Sequence, residues 1–173
     1  MIASLQAVAV LMFAALVLTA AAKDLTSYTI PNWISLALLA AFPVAALAAG
    51  LSLPQVGVHA AVGFGALLIG MGMFAAGWIG GGDAKLFAAA ALWLGWPAMP
   101  SYVVFTGMAG GALTFALLSL RSDIFRPYVL AGPGWVHRLA EPKGDLPYGV
   151  AIAVGALAAL SDAPVAKGLP LPF

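Results

Sequence analysis

Two aspartates at the ends of apolar segments are the residues of this chain best suited to chemistry. Asp24 directly follows the first apolar segment, and Asp83 lies between two others in the stretch GGGDAK at 80–85. A carboxylate at membrane depth is costly, so its presence there indicates a function. Two carboxylates that share one proton can cleave a peptide bond, because the ionised one takes a proton from water while the protonated one polarises the scissile carbonyl.

Each of these features also has a purely structural interpretation. Asp83 could simply cap a helix, and the glycines before it could form a flexible turn. Asp24 could form an interfacial charge pair with Lys23. If the glycines serve catalysis, their lack of side chains lets an extended substrate strand approach the backbone. A helix start at Asp83 and the nearby Lys85 would favour the ionised form of Asp83, but the sequence leaves open which aspartate holds the shared proton.

The composition requires that these acids be positioned by a membrane-embedded scaffold. Of the 173 residues, 64% are hydrophobic and 8% are charged, and the mean hydropathy is +1.06. A chain of this length cannot hide so much apolar surface in a water-soluble core, so we predict one all-α polytopic membrane domain over 1–173. The net charge of +1 and the lack of a basic stripe exclude nucleic acid as a partner, whereas membrane lipids are expected partners. Cysteine is absent, which excludes disulfides, thiolate metal sites and a cysteine nucleophile; we predict no cofactor and no metal.

The apolar segments predict about six transmembrane helices, since about 20 apolar residues cross the hydrocarbon core. The fourth is short, and a polar loop at 121–145 separates the last two. The first segment is too long for a signal-peptide core, and no basic residue precedes Lys23, so we expect it to be a span. The predicted spans are 4–22, 31–50, 56–78, 83–96, 100–120 and 146–162.

The basic residues predict the orientation of these spans. With the N-terminus outside, every Lys and Arg except Lys167 lies on the cytoplasmic side, as the positive-inside rule requires. Asp24 and Asp83 then fall on that same cytoplasmic face, and the 121–145 segment becomes a cytoplasmic loop. The topology therefore lets the two acids meet.

Three local motifs resemble the type IV prepilin peptidases, which are intramembrane aspartic peptidases of the GxGD type. Residues 24–32, DLTSYTIPN, are similar to the family's Asp followed by an aliphatic residue, Pro and Asn. Residues 80–86, GGGDAKL, resemble its Gly-x-Gly-Asp-x-Lys-Leu block. Residues 146–149, LPYG, are a weaker match to a Pro-aromatic-Gly signature.

The resemblance implies that Asp24 and Asp83 are the catalytic pair of an endopeptidase. Such enzymes remove the basic leader peptide from pilin-like precursors at the cytoplasmic face of the bacterial inner membrane. It also implies that Lys85 orients or charge-balances Asp83, or binds phospholipid headgroups. The other residues expected to bind substrate or support the pair are Gly80, Gly82, Pro31, Asn32, Pro147, Tyr148 and Gly149.

The chain differs from the larger bifunctional members of that family. Those carry an extra cytoplasmic domain after the first span, often with a zinc-binding cysteine set, and also N-methylate the processed pilin. Here only residues 23–30 separate the first two predicted spans, and no cysteine is present, so we expect no N-methyltransferase activity. The chain resembles the short form of tight-adherence (Flp) pilus systems, whose pilus or secretion machinery would then be a partner. The alternative is a small proton-coupled transporter with Asp24 and Asp83 as a proton relay.

Overall fold

The computed structural model describes residues 2–131, 137 and 146–169, and this part of the chain is helical with no strand. Two 3-10 turns, Leu160–Asp162 and Pro164–Ala166, close the described part. The predicted loop at 121–145 begins with a short helix, but 132–136 and 138–145 lie outside the described residues. The helices are α1 Ile2–Ser27, α2 Asn32–Ala48, α3 Leu53–Ala75, α4 Gly81–Leu120, α5 Arg126–Leu130 and α6 Tyr148–Ala158.

Helix α4 is a hairpin of two helical halves rather than one rod. Gly95 has φ 67° and ψ 179°, which no α-helix contains, and Pro97 and Pro100 follow it. The Phe87 and Tyr102 rings stack with centroids 4.6 Å apart, although a straight helix would separate these residues by about 22 Å. The halves 81–94 and 96–120 therefore run antiparallel, as the two separate segments predicted at 83–96 and 100–120 require.

Small residues let the helices approach closely. A Cβ added at Gly63 would lie 2.8 Å from the Leu92 Cβ, and one added at Gly70 would lie 3.1 Å from the Ala84 Cβ. Helix α4 consequently packs against α3 on one side and α6 on another, while α1 packs against α6 and α2. Such contacts through small residues are typical of helices in lipid, where van der Waals packing replaces the hydrophobic drive.

The outer surface of the bundle is apolar, as expected of a protein whose solvent is lipid. Three helices are long and apolar enough to cross a membrane, Ala3–Ser27, Leu53–Ala75 and Gly81–Leu120, and two shorter apolar helices accompany them. The protein is therefore an all-helical membrane protein, while the count of six spans and the external N-terminus stay predictions. The large exposed side chains include Leu36, Leu47, Phe64, Ile69, Val104 and Phe115.

Candidate active site

Asp24 lies in the last two turns of α1 and is only 5% exposed. Its Oδ2 accepts a hydrogen bond from the backbone N–H of Gly149 at 2.6 Å. Gly149 is the second residue of α6, and the first N–H groups of a helix have no partner within the helix. The carboxylate of α1 thus takes up a donor that α6 leaves unpaired, at the helix end where the dipole favours negative charge.

Asp83 is the third residue of α4 and lies close to Asp24. Its Oδ2 accepts the backbone N–H of Gly80 at 3.2 Å, so Asp83 does cap the start of its helix. Its Oδ1 is buried and has no hydrogen-bond partner among the described residues. The two carboxyl groups are near enough to interact electrostatically. The structural and the catalytic interpretations of Asp83 are therefore compatible, because capping uses one oxygen only.

Lys85 contacts Asn32 and so joins two of the sequence motifs. Its Nζ donates a hydrogen bond to the Asn32 Oδ1 at 2.9 Å. Asn32 is the first residue of α2, and both side chains are exposed at the beginning of their helices. Lys85 is one turn from the start of α4, and this bond ties that start to the start of α2. Pro31 precedes α2 as its N-cap residue, in extended conformation with φ −61° and ψ 135°.

The glycines at 80–82 do not form the open, strand-binding turn that is expected from the sequence. Gly80 is extended and exposed, but Gly81 and Gly82 already belong to α4. A Cβ added at Gly82 would lie 3.1 Å from the Ile30 Cβ, so this glycine makes room for a side chain of the protein itself. The backbone of Gly80 is therefore accessible, whereas the space beside Gly82 is filled by Ile30.

Ile30 is the residue of the site that the sequence analysis did not single out. It is 9% exposed, and it contacts Gly82 beside Asp83 as well as Gly149 beside Asp24. A Cβ added at Gly149 would lie 2.9 Å from both the Ile30 Cδ1 and the Asp24 Oδ2. The only sequence signal for it is its position as the aliphatic residue before Pro31.

The Pro-aromatic-Gly segment lies at the same place. Pro147 is buried and precedes α6, and Tyr148 packs where α4 has no side chain, since a Cβ at Gly110 would lie 3.0 Å from the Tyr148 hydroxyl. The structure thus brings all three motifs to one end of the bundle.

A cavity of about 700 Å³ opens beside Asp83. Its walls come from α3, both halves of α4 and the start of α6, and they are apolar apart from Asp83, Thr106 and Tyr148. A cavity of this size and polarity suits several apolar side chains of a ligand. In the described ranges, no group of three or more His, Asp or Glu side chains could hold a metal ion.

The comparisons with known proteins identify a family for this chain. A family model described as the type IV leader peptidase family matches residues 11–115. No curated protein and no solved structure matches the chain. The matched segment is more than half of the chain and contains Asp24 and Asp83. The chain therefore belongs to the type IV leader peptidase family.

Proposed function

We propose that this member of the type IV leader peptidase family is an intramembrane aspartic endopeptidase with Asp24 and Asp83 as its catalytic pair. Membership makes the protein a membrane-embedded, leader peptidase-like protease that acts on a peptide. The observation that carries the assignment of the pair is that two carboxyl groups, from α1 and α4, lie within electrostatic range of each other. Hydrolysis by an aspartic peptidase needs that arrangement.

The hydrogen bonds of the two aspartates fit different roles in the reaction. Asp24 accepts a short N–H bond at a helix start, which stabilises a carboxylate. Asp83 has a buried Oδ1 without a partner in the described part of the chain, which is costly for a carboxylate and less so for a carboxylic acid. Asp24 then takes a proton from water, the hydroxide oxygen bonds to the scissile carbonyl carbon, and Asp83 protonates the carbonyl oxygen. Collapse of this intermediate breaks the C–N bond. The leaving nitrogen takes up the proton held by Asp24, and Asp83 takes a proton back from a hydroxyl of the intermediate, which restores both side chains to their starting states.

The substrate is a pilin-like precursor of the Flp type, whose basic leader is removed at the cytoplasmic face of the inner membrane. The apolar cavity beside Asp83 supports a peptide substrate because it can receive side chains next to the scissile bond. The exposed, extended backbone at Gly80 offers a place where the strand can pair. No observation favours the proton-coupled transporter.

We also propose that 1–173 form one integral-membrane peptidase domain with 121–145 as its cytoplasmic loop. The buried residues of α1, α2, α4 and α6 form a continuous apolar core, which supports a single unit.

Replacement of either acid by asparagine tests the assignment of the pair. Asp24→Asn and Asp83→Asn keep the shape of each side chain and remove its acid–base function, so each should lower cleavage by at least about 100-fold. Purified protein in detergent is incubated with a synthetic Flp-type precursor, and leader removal is read by mass. Asp123→Asn, at an exposed acid outside the site, should cleave normally. Cleavage at the wild-type rate by either folded active-site variant would exclude the proposed pair.

A further inference from the structure

Ile30 touches both the segment that precedes Asp83 and the helix start that holds Asp24. On one side it packs against Gly82, the residue directly before Asp83, with 3.1 Å between the Ile30 Cβ and an added Cβ. On the other it packs against Gly149, whose N–H holds Asp24, with 2.9 Å between the Ile30 Cδ1 and an added Cβ. Neither glycine leaves room for a side chain against Ile30, so Ile30 packs directly on the backbone of both segments and sets how near they can come.

The segment that carries Ile30 is held at both ends. It follows α1 directly, and Tyr28 at the end of that helix has a positive φ of 52° and donates its N–H to the Asp24 carbonyl at 2.8 Å. Two residues after Ile30, Asn32 accepts the hydrogen bond from Lys85. The segment 28–32 is therefore connected to Asp24 through the chain and to the start of α4 through Lys85.

We propose that Ile30 and the Asn32–Lys85 hydrogen bond are positioning elements that hold the two carboxyl groups at their working separation before any substrate binds. Ile30 is the spacer between the two segments, and the Asn32–Lys85 bond is the tie that keeps them against it. This inference rests on the proposed function, because it assigns these residues to the geometry of the Asp24–Asp83 pair. In this proposal the aliphatic-Pro-Asn motif at 30–32 and Lys85 have the same role, which is to position the two acids.

Shortening the spacer is the first test. Ile30→Ala should lower kcat for precursor cleavage by up to about 100-fold, because a displacement near 1 Å can cost that much, while KM changes less than about twofold. Ile30→Val keeps the Cβ branch that meets Gly82 and should restore most of the rate. Ile34→Ala is the matched control, since Ile34 is also an isoleucine, is fully buried and is the third residue of α2.

The outcomes of that comparison separate positioning from general stability. Rates are measured at a temperature at which all variants remain folded by thermal unfolding in detergent. A kcat loss in Ile30→Ala that Ile34→Ala does not share supports the spacer. Equal losses in both variants, or no loss in Ile30→Ala, overturn it. If Asp24→Asn cleaves as well as the wild type, the proposed function fails instead, which is a different result.

The tie is tested by a double-mutant cycle, which remains informative if Ile30→Ala does not fold. Lys85→Met keeps the length of the side chain and removes the donor, and Asn32→Ala removes the acceptor. Each should lower kcat by about 10-fold, and the double variant should be no worse than either single one, as coupled residues require. Asn32→Asp, which can pair with Lys85 as an ion, should retain the rate. Lys167→Met, at an exposed lysine, should not change it. Losses that multiply in the double variant, or an unchanged rate in either single one, overturn the tie.

Discussion

At the scale of single residues, a methyl group added at Gly149 should lower the rate of cleavage while the protein still folds. A Cβ there would lie 2.9 Å from the Asp24 Oδ2 and 3.0 Å from the Asp24 Cβ, so Gly149→Ala must displace the carboxyl group or the helix start that holds it. We expect cleavage to fall by up to about 100-fold from this displacement. The rate of leader removal and the unfolding temperature, both in detergent, provide the measurement.

The matched control for this substitution is Gly111→Ala. Gly111 lies in the second half of α4, and no atom lies within 4 Å of an added Cβ. Alanine should there raise helix stability by up to about 1 kcal/mol and leave cleavage unchanged. Normal activity in folded Gly149→Ala would mean that the Gly149–Asp24 contact has no part in catalysis.

The two candidate acids could be singled out from sequence, but the hydrogen-bond partners of the motif residues could not. Asp24 and Asp83 stand out because carboxylates are rare in so apolar a chain. The partner of Lys85 was expected to be Asp83 or lipid and is Asn32, 53 positions away. The partner of Asp24 is a backbone N–H 125 positions away. Contacts at such separations depend on how four helices pack, and no local pattern encodes them.

At the scale of elements, the break in α4 is anchored by a contact with α3. Gly95 has a backbone conformation that only glycine tolerates, and the ring of His59 fills the space beside it. The Nδ1 of His59 bonds to the Leu92 carbonyl at 2.8 Å, near the end of the first half of α4. The contact thus holds the end of the first half of α4 against α3, and Asp83 lies in the first turn at the other end of this half.

Gly95→Ala should therefore destabilise the protein more than a Gly→Ala substitution at which an unfavourable backbone conformation is the only cost. An added Cβ would lie 2.5 Å from the His59 Cε1, and the backbone conformation itself costs about 1–3 kcal/mol for a residue with a side chain. Gly50→Ala is the comparison, because Gly50 also has a positive φ, of 67°, but has open space around an added Cβ. We expect a larger drop in the unfolding temperature for Gly95→Ala. Equal drops would show that the His59 contact adds nothing.

The lengths of the elements were predicted better than their ends. The segments predicted at 83–96 and 100–120 correspond to the two halves of the hairpin, but the break lies at Gly95, inside the first predicted segment, and Pro97 and Pro100 belong to the first turns of the second half. The first span was expected to end at Ala22, whereas α1 continues to Ser27. Hydropathy ends a span where apolar residues end, but the helix carries on until Tyr28 adopts its positive φ. Asp24 is consequently held by a helix rather than by a loop.

At the scale of the whole molecule, the bilayer explains why so small a site can be built from three motifs. Helices in lipid satisfy their own backbone groups, so connecting segments can be short and the helix ends stay near each other. The segments 28–31, 76–80 and 146–147 all lie at the end of the bundle that carries Asp24 and Asp83. The two acids and the glycines at 80–82 and 149 therefore lie at one end of the bundle, and the apolar cavity extends from Asp83 along α3 and both halves of α4.

The orientation of the bundle and the number of spans give the last prediction, which the absence of cysteine makes clean to measure. Single cysteines are introduced at the exposed Ser27, Ser52 and Ser161, and spheroplasts are treated with a membrane-impermeant maleimide. Four crossings separate Ser52 from Ser161 if the halves of α4 each span the bilayer, so both should label from outside. One crossing separates Ser27 from Ser52, so Ser27→Cys should label only after permeabilisation.

Protection of Ser161→Cys from labelling would mean that α4 crosses the bilayer once, so that its two halves do not form a membrane-spanning hairpin. Labelling of Ser27→Cys from outside would put the end of α1, and Asp24 with it, on the wrong side for a precursor whose leader is cytoplasmic.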